Sequence, residues 1–487
     1  MREGGVKRDT VVYGIGVGTE RIISFMMLPV LTKNLTPELY GVWSQIIVTI
    51  GLLIPVILMG FQTTMVNFFS GGNSEPKEKN GIFHGMLLIV LVNSTVVLVA
   101  CTFFFPDFVS WLMFGGTGFT NFARIFGVLL ITEVIFELLV AYLRSDRKIR
   151  RLAIYYIVKS TSRIGIIVAA VVIYQQSLLV ALVWLTVTQF LMILWIYWND
   201  IYRKTGFSLD LSIRDDRWQQ IIRFSLPLIP YSFLIWINNF LDRYLILHIL
   251  GIEQVSIYAV SYTLAAAISI FYSILGFTIY PYMANHWNDE RRQTVSAMME
   301  TGFAYYIFFS IPIIALTVIL NEPIIQLLTT RSFIADPALI LFLALGIGMF
   351  GLYQINLYII LLGGKSLLNM KIVMLASLIN LILNLLLIPA LGILGASIAL
   401  CLSNSVLAYM SFLAGRGILT YTFPWRILGR VLVLIGAVSV SLLAVLHFIA
   451  VSNLWTLGIV AATVLLIYFL LDLLQKDSLL LKLRRAP

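Results

Sequence analysis

Leu35-Thr36-Pro37-Glu38-Leu39-Tyr40-Gly41-Val42-Trp43-Ser44 returns in altered form as Leu250-Gly251-Ile252-Glu253-Gln254-Val255-Ser256-Ile257-Tyr258-Ala259. Leu, Glu, a small residue and an aromatic recur at one offset of 215 residues, and the same offset aligns Ile157-Val158 with Ile372-Val373. Each match is weak alone. A shared offset at two distant places marks an internal repeat. Each copy of the ten-residue segment joins two long apolar stretches. Such stretches, about 20 residues each and long enough for a 30 Å hydrocarbon core, recur from end to end. A chain of 487 residues that is 60% hydrophobic and 11% charged belongs to the polytopic membrane class.

The expected fold is all-α with 14 transmembrane helices at roughly 11–33, 43–70, 81–105, 119–143, 152–174, 177–198, 222–248, 255–282, 297–320, 337–362, 367–388, 394–415, 427–450 and 454–474. The first segment carries Glu20 and Arg21 and has no small-residue cleavage site, so it is expected to stay as a helix. Alternate connections are basic, among them the one holding Arg144, Arg147, Lys148, Arg150 and Arg151 and the one holding Arg203, Lys204, Arg214 and Arg217. The opposite set holds little beyond Lys33 and Arg331. The positive-inside rule then puts both termini in the cytoplasm and the protein in the cell membrane. Six helices separate the repeat copies, which preserves their orientation. Residues 1–198 and 222–415 are expected as two parallel six-helix lobes about a pseudo-twofold axis along the membrane normal. Residues 199–221 form a cytoplasmic linker, 427–474 an extra pair of helices with almost no polar residues, and 475–487 a basic tail.

Six charged residues fall inside predicted spans of the first lobe: Glu20, Arg21, Glu133, Glu137, Lys159 and Arg163. A charge in the bilayer core is costly unless it is paired or meets water, so each is a functional-site candidate. Counting 1.5 Å per residue places Glu137 and Lys159 roughly 9–10 Å, and Glu133, Arg163 and Arg21 roughly 15–16 Å, from the cytoplasmic ends of their helices. Glu133/Glu137 and Lys159/Arg163 are i, i+4 pairs on single helix faces, so antiparallel neighbours are expected to match Glu137 with Lys159 and Glu133 with Arg163. Two readings stay open: structural salt bridges, or a hydrated cavity where Arg21, Lys159 and Arg163 meet an anion while the carboxylates exchange partners or protons. Arg suits phosphate through its planar fork of donors, and Lys through its compact charge.

Asp242-Arg243 lies near the outer end of the seventh span, as a packing anchor or as a further cargo and ion contact. Tyr353, Gln354 and Asn356 in the tenth span offer rings and amides suited to sugars. Cys101 and Cys401 lie in apolar segments as expected packing thiols, and the four histidines have no metal-ligand spacing. The net charge of +10 is spread loop by loop and does not point to nucleic acid.

Three segments together resemble the Wzx-type polysaccharide-unit flippases, in the superfamily shared with lipid II flippases and multidrug and toxic compound extrusion transporters. They are Leu35 to Trp43; Asp242-Arg243-Tyr244 with Leu250-Gly251 and Tyr258-Ala259; and Asn380-Leu381-Ile382-Leu383-Asn384 running to Ile388-Pro389 and Gly392-Ile393-Leu394-Gly395-Ala396. The resemblance covers essentially the whole chain. It implies export of a polyprenyl-diphosphate-linked oligosaccharide to the outer leaflet by alternating access, often cation-coupled. Arg21, Lys159, Arg163, Arg243, Tyr353, Gln354 and Asn356 are then the candidate substrate contacts. Glu20, Glu133, Glu137 and Asp242 are candidates for a coupling proton or sodium ion. Expected partners are the lipid-linked oligosaccharide, membrane lipids, a glycan polymerase and glycosyltransferases. By resemblance to lipid II flippases, the extra helical pair would hold the lipid tail.

No cofactor and no enzyme signature is found: there is no phosphate-cradling Gly-rich loop and no metal motif. A polytopic glycosyltransferase or polymerase usually needs a sizeable extramembrane domain, and the longest loop here is the 199–221 segment. Two further readings are a multidrug/cation antiporter of the same superfamily and a scaffold for an envelope-assembly complex.

Overall fold

The computed structural model describes residues 19, 23, 25–69, 76–146, 148–209, 216–448 and 453–473. Among them, regular structure is entirely helical. In the first half the helices are α1 (Pro37–Ile57), α2 (Phe61–Phe69), α3 (Pro76–Val99), α4 (Pro106–Phe114), α5 (Thr120–Ser145), α6 (Ile149–Ile167), α7 (Leu178–Tyr197) and α8 (Asp216–Ser225). The second half adds α9 (Leu228–Leu250), α10 (Ile252–Ala265), α11 (Ser269–Asn288), α12 (Arg292–Ile319), α13 (Asn321–Leu328) and α14 (Pro337–Leu362). It closes with α15 (Ser366–Leu391), α16 (Ile393–Arg416), α17 (Trp425–Phe448) and α18 (Leu454–Leu473). Wider-pitched π turns, Ala100–Phe104, Val168–Ile173 and Trp198–Tyr202, prolong α3, α6 and α7.

Thirteen helical runs among the described residues are long and apolar enough to cross a membrane, and they coincide with the thirteen predicted spans after the first. Of the predicted first span, Glu20, Arg21 and most of the preceding residues lie outside the described residues, while 25–34 are helical. The second span differs from its expected single helix over 43–70. It starts earlier, where the Thr36 hydroxyl caps the Leu39 amide and Pro37 occupies the first turn. It breaks at residues 58–60, because Met59 and Gly60 take left-handed φ of 50° and 73°. A side chain at Gly60 would also bring its Cβ within 2.7 Å of the Ser225 carbonyl.

The chain forms two compact units, residues 1–236 with 251–253, and 237–250 with 254–487. The division falls inside α9, between Trp236 and Ile237. Their internal helix order repeats. The starts of α1 and α10 (Pro37, Ile252), α4 and α13 (Pro106, Asn321), and α7 and α16 (Leu178, Ile393) are each 215 residues apart. The second span of each half is interrupted, at 58–60 and by a 3-10 turn at Ala266–Ile268.

In the first unit the predicted linker is largely helical at both ends and pinned. Asn80 on α3 donates to the Gly206 carbonyl at 3.0 Å and the Ser208 hydroxyl at 3.1 Å. The His84 ring stacks edge-on with Phe207 and bonds the Tyr197 hydroxyl at 2.9 Å. Amphipathic α8 buries Trp218 and Ile221, while its Arg217 pairs with Glu78 at 3.2 Å. Asp146, in the turn after α5, pairs with Lys79 and Lys148. Burial alone would raise its pKa, but the hydrogen bonds and charges of the two lysines hold it below the ordinary carboxylate range.

In the second unit α14 and α16 cross at Gly346, where a Cβ would meet the Cys401 backbone at 3.1 Å; small residues let helix backbones approach closely. Asn404 there donates to the Gly346 carbonyl at 3.0 Å and accepts from Asn238 at 2.7 Å. The pair α17/α18 packs Val431, Ile435 and Tyr468 against Ala304, Ile307 and Phe308 of α12. Contrary to the near-absence of polar groups expected for this pair, Arg430 reaches the fully buried Asp472 at 2.8 Å. The two lie near the α17 start and the α18 end, which meet because the helices are antiparallel.

Leaving one partner of a buried ion pair alone costs about 3–5 kcal/mol, whereas replacing both by apolar groups is often neutral. Arg430→Leu is therefore expected to lower the unfolding midpoint in detergent, and Arg430→Leu with Asp472→Leu to recover most of it. A double variant as labile as the single would show that the unpaired Asp472 is not the cause.

Candidate functional site

Among the described residues, the predicted intramembrane charges of the first unit gather on α5 and α6. Glu133 is buried at mid-length of α5 and holds two bases of α6 at once. Lys159 Nζ donates to its Oε2 at 2.7 Å, and Arg163 Nη2 to its Oε1 at 2.6 Å. This replaces the two separate pairs expected from helix counting. The i, i+4 spacing of Lys159 and Arg163 lets one carboxylate between them use both of its oxygens. Glu137, one turn nearer the C-terminal end of α5, accepts instead from Gln62 Nε2 at 3.0 Å. The break after Ile57 supplies that amide: α2 is a separate helix, and Gln62 is its second residue.

Lys159 is further enclosed by Phe136, whose ring centroid is 3.9 Å from Nζ, a cation–π contact that stabilises charge in a dry site. Arg163 is more open. It grips Glu133 through Nη2, and its buried Nε has no hydrogen-bond partner. Lys159, Ser162, Arg163, Leu185, Gln189 and Met192 line a cavity of about 10 Å³, room for roughly one water. Gln189 on α7 is buried and near enough to interact with Glu133, yet neither amide atom makes a hydrogen bond of normal geometry. The local balance is one carboxylate against two bases, a surplus of positive charge facing unsatisfied donors.

The same face of α6 carries a second cluster that sequence reasoning missed. Arg151, Tyr155, Lys159 and Arg163 follow at steps of four residues, a polar stripe about 18 Å long from the start of α6 toward its C-terminal end. Arg151 and Tyr155 both bind Asp200, which also accepts from Lys204 at 2.7 Å. Asp200 is fully buried, in contrast to the solvated linker expected there, because the π turn after α7 continues that helix past it. The signal that would have found the cluster is the four-residue step from Lys159 back to Tyr155 and Arg151.

The remaining candidate residues lie elsewhere. Asp242 and Arg243 are buried in the second unit, where Asp242 accepts from the Tyr258 hydroxyl and the Arg243 amide. Tyr353 and Asn356 are buried in helix packing, and Asn356 accepts from Tyr421 Oη at 2.8 Å while donating to the Leu352 carbonyl at 3.0 Å. Those amide and ring groups are engaged in packing rather than turned to a cavity, because that face of α14 meets α12 and the segment before α17. Gln354 is half-buried. Among the described residues no cluster of His, Cys, Asp and Glu is arranged to hold a metal.

The charges are not demanded by the repeated scaffold. The α15 positions 215 residues beyond Lys159 and Arg163 are Met374 and Leu378, both apolar.

Comparison with known proteins gives two family matches: polysaccharide biosynthesis protein over residues 6–287, and MatE over residues 227–389. No curated protein sequence matches significantly. Among solved structures, the chain superposes on lipid II flippase MurJ in an inward closed conformation with TM-score 0.73 at 14% identity, covering 96% of this chain and 100% of that one. An inward-facing multidrug resistance MATE family transporter gives 0.66 at 14%, covering 84% and 97%. A MOP superfamily transporter from Pyrococcus furiosus, described as having a binding pocket of reverse polarity, gives 0.59 at 16%, covering 85% and 94%. At these identities the likeness is one of fold.

Glu133→Ala strands buried Lys159 and half-buried Arg163 and is expected to cost about 3–5 kcal/mol of stability. Glu137→Ala loses a hydrogen bond from a neutral amide, about 1–2 kcal/mol. Thermal unfolding of both in detergent checks the order; equal losses would contradict the central place given to Glu133.

Proposed function

The chain belongs to the polysaccharide biosynthesis protein family, and from that premise we propose that it is a flippase. In this reading it moves a polyprenyl-diphosphate-linked oligosaccharide from the cytoplasmic to the outer leaflet of the cell membrane by alternating access, with both termini cytoplasmic. The observation that carries the reading is the unequal charge around Glu133: one carboxylate, two bases, and a buried guanidinium Nε without a partner. A diphosphate would complete that balance. Arg163 would offer its remaining donors and Lys159 a compact charge. The stripe through Arg151 and Tyr155 would guide the anion inward from the cytoplasmic end of α6. Arg21 is assigned to the same group from its position in the sequence. Glycan polymerase and glycosyltransferase partners belong to the proposal by way of the family.

Coupling is proposed to act on the carboxylates. Protonating Glu133, or binding sodium beside it, would loosen its hold on Lys159 and Arg163 and free them for the diphosphate. Glu137, and Glu20 by its position in the sequence, would take part as neighbours. Export of an anion from a cell negative inside is already favoured, by about 2.3 kcal/mol per charge per 100 mV. An ion would therefore serve to reset the carrier.

The MatE match over residues 227–389 favours a second reading, a multidrug/cation antiporter. The positive surplus of the site argues against a cationic cargo.

The test is transport in proteoliposomes with a fluorescent lipid-linked oligosaccharide, scored by protection from an impermeant quencher. Lys159→Gln and Arg163→Gln are expected to insert normally and lose transport by about tenfold or more, the worth of one charge-assisted contact. Unchanged transport in both, or export of cationic dyes by wild type in its place, overturns the reading. Glu133→Gln is expected to flatten the dependence of rate on pH and sodium. An unaltered ion dependence removes the coupling role.

A further inference from the structure

Arg243 in α9 is 6% exposed, and among the described residues it forms no ion pair. Its Nε is buried without a hydrogen-bond partner. The obvious counter-charge, Asp242, is committed elsewhere, to the Tyr258 hydroxyl and the backbone amide of Arg243. The guanidinium lies instead between two rings, 4.7 Å from the centroid of Tyr262 and 5.2 Å from that of Phe240. Aromatic faces steady a cation and fix its plane, but they leave the edge that carries its donors free.

The repeat supplies an internal control. Moving 215 residues back from Asp242, Arg243, Tyr258 and Tyr262 reaches Met27, Leu28, Trp43 and Ile47 of the first unit. The start of α1 matches that of α10 at this offset, and Met27, Leu28 and Trp43 are buried. The fold thus builds this helix junction from apolar groups alone. A buried charge where its repeat counterpart has Leu is surplus to architecture, and Asp242, the acid whose charge it feels, is itself held by Tyr258.

We propose that Arg243, in its cage of Phe240 and Tyr262, is a second binding site for a phosphate-type anion, separate from the Glu133 cluster. The guanidinium fork would take two anion oxygens, while Asp242, bonded to Tyr258, keeps its backbone in register. The site lies about 10 Å before the end of α9. Resting on the flippase reading, it would receive the diphosphate of the cargo; a phospholipid headgroup presents the same chemistry.

The full chain in phosphatidylcholine nanodiscs is titrated with farnesyl diphosphate, and the titration repeated in nanodiscs containing phosphatidylglycerol. Arg243→Gln is expected to weaken farnesyl diphosphate binding by about 10- to 100-fold, the loss of a charge-assisted double hydrogen bond. Arg243→Lys, which keeps the charge without the fork, should lose several-fold; it decides the matter if Arg243→Gln does not elute as a folded species. Competition by phosphatidylglycerol that disappears in the Arg243 variants upholds the anion site and identifies a phospholipid as its occupant. Wild-type affinity in the Arg243 variants, with binding weakened by Arg163→Gln, overturns this site and leaves the flippase reading standing. A wild-type protein that binds no farnesyl diphosphate and shows no phosphatidylglycerol effect overturns both.

Discussion

Charge inside a membrane helix needs a partner, and for Lys159 and Arg163 one carboxylate meets that need. Glu133 takes Lys159 on one oxygen and Arg163 on the other. The arrangement follows from helix geometry. Two bases four residues apart share a face, and an acid on the antiparallel neighbour reaches both if it lies between them. Its consequence is electrostatic. One anion holds two cations in place without neutralising them, so the site is ordered and still positive. Two independent salt bridges on the same helices would have been neutral and closed.

The scaffold around this site repeats and the chemistry does not. Helix starts recur at offsets of 215 residues in α1/α10, α4/α13 and α7/α16. The α15 counterparts of Lys159 and Arg163 are Met374 and Leu378, and Asp242-Arg243 answers to Met27-Leu28. Packing small and apolar residues suffices to build such a helical unit, as the Gly346 crossing illustrates. Buried ionic groups thus differ between two copies of one architecture. Arg430–Asp472 is different in kind: it ties two peripheral antiparallel helices at one end, near Tyr468, whose hydroxyl bonds the Phe308 carbonyl at 3.1 Å.

Span positions were legible because the apolar runs match the length the hydrocarbon core requires, and the repeat because its linking segment keeps a turn, an acid and an aromatic in register. Position along a helix was legible too, since rise per residue is constant. Pairing was not. Which acid meets which base depends on helix rotation and on where a neighbour breaks. The left-handed Met59-Gly60 turn makes α2 a separate helix and delivers Gln62 to Glu137. The burial of Asp200 was hidden because a π turn, with its i→i+5 bonds, carries α7 beyond the end that hydropathy suggests.

Class, helix positions, repeat and the presence of costly intramembrane charge are one-dimensional properties: composition, period and spacing along the chain. Tertiary structure alone decided that Glu133 serves two bases, that Tyr353 and Asn356 are spent on packing, and that Arg243 lies beside two rings with its Nε unpartnered. Those are properties of side chains meeting across helices. They turn on distances of a few ångströms that the helical period by itself leaves undetermined.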